Sequence, residues 1–166
     1  RVGTYVGHIA FGGFKMKILY HDVSRAEDFE MLTEAKYCSI EHLLKESDVV
    51  SLHVPLTAQT KHLIGKKELN LMKENAVLIN TARGPVIDEA ALISALKENK
   101  IAGAGLDVYE HEPEVPHELS TLGNVVLTPH TASATLECRE EMARITAQNV
   151  IDVFDDKEPF GLLKVS

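Results

Sequence analysis

The sequence predicts an α/β protein built on a doubly wound parallel sheet, and three observations carry that prediction. Short apolar, β-branched runs alternate with amphipathic stretches along the chain, the pattern of strands joined by helical crossovers. The runs are nearly all apolar rather than alternating, so the strands are buried on both faces. Three of them end in segments that each deliver one ionisable side chain: Arg83 in Asn80-Thr81-Ala82-Arg83-Gly84, Glu112 in 107–113, and His130 in Leu127-Thr128-Pro129-His130. Ligands of such sheets bind at the carboxyl ends of the strands.

Each element has its own warrant. A helix-like segment follows Arg1-Val2-Gly3, and 15–20 read as a strand. Gly7, Gly12 and Gly13 mark helix packing and the helix end. Ile40–Glu46 reads as a short helix with Ser39 as N-cap. Residues 48–54 are a β-branched run closed by Pro55, and 76–80 are another. Asp88 can cap a helix whose apolar side is Ala91, Leu92, Ala95 and Leu96, with Lys97 and Lys100 favouring its C-terminal end. Residues 102–108 and 125–128 complete the strands. A long helix over 135–155 takes much of its apolar side from Met142, Ile145, Val150, Val153 and Phe154. The tail beyond residue 155 reads as loosely attached.

Composition narrows the function classes. The 166 residues are 45% apolar and 25% charged, with net charge −8. Nucleic acid and anionic membranes recruit basic faces, so neither is expected as a partner. No apolar run is long enough to span a bilayer and no secretory signal stands at the start, which leads to an expectation of a cytoplasmic protein. Cys38 and Cys138 are expected to be reduced thiols. His8, His21, His42, His62, His111 and His117 lack ligand-like spacing, so no metal is expected.

Arg1-Val2-Gly3 followed by a helix resembles the later part of a dinucleotide fingerprint. Gly3 fits the third glycine, which lets the helix pack closely on the sheet, and Asp22 follows it by 19 positions. An acidic residue there hydrogen-bonds the adenosine ribose of NAD and repels a 2′-phosphate; the nearby Arg25 tempers that preference. The first strand and first two glycines of the pattern would precede Arg1. The expectation is therefore a processed product or fragment whose sheet lacks its first central strand, and which binds NAD weakly by itself.

With these segments together, the chain resembles the D-isomer-specific 2-hydroxyacid dehydrogenase family, which includes glyoxylate/hydroxypyruvate reductases and phosphoglycerate dehydrogenases. Gly103-Ala104-Gly105-Leu106-Asp107-Val108, Glu112-Pro113 and Ser51 through Thr57 add to the match, which covers nearly the whole chain. The resemblance implies a Rossmann-like NAD-binding domain over 1–155, with 156–166 returning to a substrate domain. It implies that Arg83 binds the substrate carboxylate and carbonyl, that His130 is the general acid/base, and that Glu112 pairs with His130. Arg1 and Val2 would lie by the pyrophosphate, Asp22 by the ribose, and His53, Val54 and Pro55 by the adenine. Thr81, Ala82, Arg83, Asp107, His130 and Ala132 would line the nicotinamide end. Ala132 departs from the glycine usual in the family, adding a methyl group beside the nicotinamide.

The implied function is NAD(H)-dependent hydride transfer between nicotinamide and a 2-hydroxy acid/2-keto acid pair, in a homodimer paired through the NAD-binding domain. Glu112 weighs against the related formate dehydrogenases, whose histidine partner is glutamine. Two other readings share these residues: a nucleotide-sensing interaction module of the corepressor type, and a non-catalytic remnant.

Overall fold

A computed structural model describes residues 2–162. They form two compact units that divide between Pro129 and His130.

The first unit opens with helix α1 (Val2–Phe14) and strand β1 (Leu19–Tyr20). The strand expected over 15–20 is shorter because Lys15, at φ 57°, takes the left-handed conformation that ends α1. The Lys15 and Met16 amides then satisfy the carbonyls of Phe11 and Ala10. The helix end therefore belongs to Lys15 and not to Gly12 or Gly13. Gly7 does mark packing: a Cβ there would lie 2.5 Å from the Phe29 ring of α2 (Glu27–Thr33). Strand β2 (Lys36–Tyr37), which has no apolar run to announce it, pairs in parallel with β1.

Helix α3 (Ile40–Glu46) is capped by Ser39, which accepts from the His42 amide. Then come β3 (Val49–Leu52), α4 (Lys66–Leu69), β4 (Val77–Asn80), a 3-10 turn (Gly84–Val86) and α5 (Glu89–Lys97). Asp88 caps α5 by accepting from Ala91 N at 3.0 Å. Strand β5 (Gly103–Leu106), α6 (His117–Ser120) and β6 (Val125–Leu127) complete the unit.

Strands β3-β4-β5-β6 form one parallel sheet in sequence order, and β1-β2 form another. Among the described residues β1 and β3 each pair on one side only. The sheet is thus divided where the doubly wound order places its first central strand. The core packs Leu78 of β4 against Leu92, Leu96 and Ile101, each at most 1% exposed. Burying one such leucine stabilises the fold by about 1.5–3 kcal/mol.

The second unit holds α7 (Leu136–Phe154), whose N-cap Thr135 accepts from Cys138 N. None of its residues is buried; Val150, Val153 and Phe154 are exposed. Within the described part of the tail, Phe160 is held more firmly than the composition suggests. The Asn149 side chain accepts from Phe160 N at 2.9 Å and donates to Phe160 O at 3.2 Å. No helix among the described residues is long and apolar enough to cross a membrane.

Candidate active site and dinucleotide site

Strand β4 delivers Arg83 through a turn shaped by Asn80, the last strand residue. Asn80 is fully buried. Its amide nitrogen donates to Arg83 O, and its carbonyl accepts from Ala82 N, both at 3.0 Å. One side chain thus replaces the ladder partners that the chain loses on leaving the sheet. Thr81 and Arg83 are left exposed, and the Arg83 guanidinium donates to Ala82 O at 2.6 Å.

The turn is then pinned by a close approach. A Cβ on Gly84 would lie 1.9 Å from the Tyr109 carbonyl oxygen, so only glycine fits. Tyr109 itself is held at both ends. Its amide donates to Glu112 Oε1 at 3.0 Å, and its hydroxyl donates to Thr128 O at 2.8 Å. Burial first, and then the charge of Asp107, push the Tyr109 phenol above its ordinary pKa, so it stays a donor. Asp107 is 4% exposed, and its Oδ1 accepts from the Thr128 hydroxyl. Asp107 N donates to Asn80 O. The segments after β4, β5 and β6 are therefore bonded to one another at one sheet end, with Arg83 and the exposed Glu112 on them.

A second brace lies behind. His62 Nε2 is 2.6 Å from Glu110 Oε1. Glu110 and Glu89 each accept from the other's backbone amide at 3.3 Å. Burial raises the Glu89 carboxyl above the usual range, opposed by its bond from the Glu110 amide and reinforced by the Glu110 charge. For Glu110 burial pulls upward, but the His62 and Glu89 bonds prevail and hold it below.

The raised Glu89 pKa has a consequence for stability. Native protein holds this proton at pH values where the unfolded chain has released it, so stability falls as pH rises from the ordinary carboxylate range toward the native pKa. Replacing Glu89 by Gln keeps an acceptor and removes that loss. The expected result is a smaller drop in Tm between pH 5 and pH 8 for Glu89→Gln than for the unsubstituted protein. An equal or larger drop would show that Glu89 is not the group responsible.

His130 follows the end of β6 by two intervening residues and opens the second unit, with φ 52°. Left-handed backbone is uncommon for non-glycine residues, although histidine tolerates it better than branched residues. Thr131 and Ala132 follow it, both exposed.

The elements expected at the dinucleotide's other end lie at the ends of β1 and β3. Gly3, in the first turn of α1, faces His53: a Cβ there would be 3.2 Å from the imidazole. This is the close helix–sheet packing expected of the third fingerprint glycine. Burial pushes the His53 pKa down, and Ser51 Oγ lies 2.9 Å from its Nε2. Val2 is exposed, Val54 is half-buried and Pro55 is exposed. Arg1 lies outside the described residues. Asp22 stands exposed just beyond β1, its Oδ1 accepting from Val23 N at 2.7 Å. The first turn of α1 contains no acidic side chain to oppose an anion.

Sequence reasoning passed over Asn80 and Gly84 as structural determinants and Tyr109 and Glu89 altogether. It sees Glu110 only as part of an acidic, solvated loop, whereas Glu110 is bonded to His62 and to the Glu89 amide. Asn80 had a usable signal, a polar residue closing an apolar strand. The others act through contacts distant along the chain, which no local pattern reveals.

Known proteins match this architecture closely. Residues 1–132 match the family model described as D-isomer specific 2-hydroxyacid dehydrogenase, NAD binding domain. The chain is 59% identical over 160 residues to a glyoxylate reductase of Thermococcus litoralis, covering 90% of this chain and 48% of that protein. Among solved structures, apo D-mandelate dehydrogenase of Rhodotorula graminis superposes with TM-score 0.90 at 39% identity, over 98% of this chain and 48% of that one. D-lactate dehydrogenase of Lactobacillus jensenii with NAD+ gives TM-score 0.87 at 33% identity, over 99% and 53%. The chain spans about half the length of the curated relatives it matches. With a family match over 132 residues and the glycine, turn and strand-end geometry in place, the chain belongs to the D-isomer-specific 2-hydroxyacid dehydrogenases, in their NAD-binding domain.

Proposed function

We propose that this chain serves an NAD(H)-dependent reductase of a small 2-keto acid, with glyoxylate as the leading substrate. The observation that carries the reading is the Arg83 turn, whose backbone is fixed by Asn80 and Gly84 at the carboxyl end of β4 and which leaves the Arg83 side chain exposed. The identity to a glyoxylate reductase supports the substrate class.

The residues divide the chemistry. Arg83 holds the substrate carboxylate and polarises the carbonyl through its planar fork. His130 gives its proton to the carbonyl oxygen as C2 is reduced, and takes it back in the reverse direction. Glu112 pairs with His130 and fixes the orientation of its ring. When bound, NADH supplies the hydride. Asp22 takes the adenosine ribose; Arg1, Val2 and Gly3 bring backbone to the pyrophosphate; His53, Val54 and Pro55 flank the adenine. Thr81, Ala82, Asp107 and Ala132 line the nicotinamide end.

In this reading residues 1–155 form the NAD-binding domain, and 156–166 lead back toward a substrate domain. The working protein is a cytoplasmic homodimer paired through the NAD-binding domain. The free Cys38 and Cys138 support a reducing compartment, and the exposed apolar residues Tyr5 and Ile9 of α1 support an interface.

The test is keto-acid-dependent oxidation of NADH by the intact protein. Turnover with glyoxylate is the expected result. NADH binding with no turnover on glyoxylate, hydroxypyruvate or pyruvate would favour the nucleotide-sensing module instead.

A further inference from the structure

Beyond β1 and β2, a group of side chains outside the reacting centre forms a bonded cluster around Arg25. Arg25 Nε donates to Glu30 Oε1 at 3.0 Å, and its NH2 group donates to Glu30 Oε2 at 2.6 Å. The Nε–NH2 edge of the guanidinium is thereby engaged by one carboxylate. Glu30 is also fixed from behind, because the Tyr20 hydroxyl donates to the same Oε1. Tyr20 oxygen in turn accepts from Ala26 N at 2.9 Å. Glu30 is 19% exposed against 61% for Arg25, so the carboxylate is the anchored partner and the arginine is drawn to it.

Tyr37 ties this cluster to Asp22. The Arg25 guanidinium lies 5.8 Å from the Tyr37 ring centroid, and the Tyr37 hydroxyl donates to Asp22 O at 3.2 Å. Asp22 and Arg25 therefore stand around one aromatic ring, at the place where the ribose of a dinucleotide is expected. An arginine near that ribose is the usual means of accepting a 2′-phosphate. Here the Nε–NH2 edge of that arginine already holds a carboxylate.

We propose that Glu30 is a selectivity residue, occupying the Arg25 fork that would otherwise receive the 2′-phosphate of a phosphorylated dinucleotide. The proposal rests on the dinucleotide-binding reading above and assigns discrimination to a second residue besides Asp22. A 2′-phosphate must either displace the anchored carboxylate from the Nε–NH2 edge or share the guanidinium with it, and in both cases faces Asp22. An unphosphorylated ribose meets neither obstacle. Isolated surface ion pairs contribute little to stability. A two-bond pair braced by a third donor instead acts by excluding a competing anion, which is a difference of affinities.

The experiment measures dissociation constants of NADH and NADPH by nicotinamide fluorescence, in the intact protein and in variants. The unsubstituted protein should bind NADH at least about 50-fold more tightly than NADPH. Glu30→Ala should tighten NADPH by about tenfold or more while leaving NADH within about twofold. Glu30→Gln keeps an acceptor for Tyr20 and tests the same point with less risk to folding; it should show a smaller gain in the same direction. Adding Arg25→Ala to Glu30→Ala should abolish the gain. An unchanged NADPH constant in both Glu30 variants would overturn the proposal, and so would a gain that survives loss of Arg25. Failure of the unsubstituted protein to bind NADH would overturn the dinucleotide reading and this inference with it, whereas normal NADH binding with unaltered selectivity would overturn only the inference.

Discussion

Replacing Arg83 by Gln is expected to lower kcat/KM for glyoxylate by about 10³-fold or more, equivalent to about 4 kcal/mol of transition-state stabilisation. Asn80 bonds both Ala82 N and Arg83 O, so the Arg83 backbone is set by a buried residue. The guanidinium reaches the strand-end surface with one short bond to its own chain, leaving donors for a carboxylate. Gln removes the charge and the fork while the turn keeps its bonds, so stability should change little. Arg83→Lys restores charge without the fork and should recover only part of the loss. Steady-state kinetics with NADH and glyoxylate, alongside urea unfolding, separate the two effects. A variant that loses activity only in proportion to lost folded protein would contradict the assigned role.

Gly84→Ala should damage both stability and activity. A methyl group there would lie 1.9 Å from the Tyr109 oxygen and 2.0 Å from its carbonyl carbon. Backbone cannot yield as a flexible side chain can. Tyr109 is 6% exposed and is bonded to Glu112 through its amide and to Thr128 through its hydroxyl. Relief of the clash must therefore shift the Arg83 turn or the Glu112 loop. Overpacking in a core costs about 1–3 kcal/mol, and a clash between two backbone segments should reach the top of that range or exceed it. For a domain of this size a loss of about 3 kcal/mol lowers Tm by about 6–12 °C. Thermal unfolding checks the first effect and kcat/KM the second. A normal Tm with normal activity would show that the two loops are not coupled through this contact.

The comparison of sequence with structure divides along a physical line. Helices α3 and α5 were legible with their caps because Ser39 and Asp88 act within three residues of themselves. The strands of the larger sheet were legible as apolar, β-branched runs, but their expected burial on both faces holds only for β5. Burial alternates along β4, and Val49 of β3 and Val126 of β6 are exposed because no helix among the described residues of this unit covers them. Strand β2 was not legible, because Lys36 and Tyr37 are exposed and pair only with β1. At the site, the ionisable side chains could be read from motifs, but what holds them could not. The Gly84–Tyr109 contact spans 25 positions and the His62–Glu110 pair 48. Arg25 reversed its meaning once its partner was known. As a lone cation it tempered the expected NAD preference; bonded to Glu30, it supports that preference.

The central claim is that the strand-end residues of this domain serve hydride transfer to a 2-keto acid, and isotope tracing tests it most directly. The intact protein is given glyoxylate and NADH deuterated at C4 of the nicotinamide on the transferred face, and the product is analysed by mass spectrometry. The expected product is glycolate carrying one deuterium at C2, formed in step with NADH oxidation and suppressed in Arg83→Gln. NADH bound without labelled product, or labelled product formed equally well by Arg83→Gln, would contradict it.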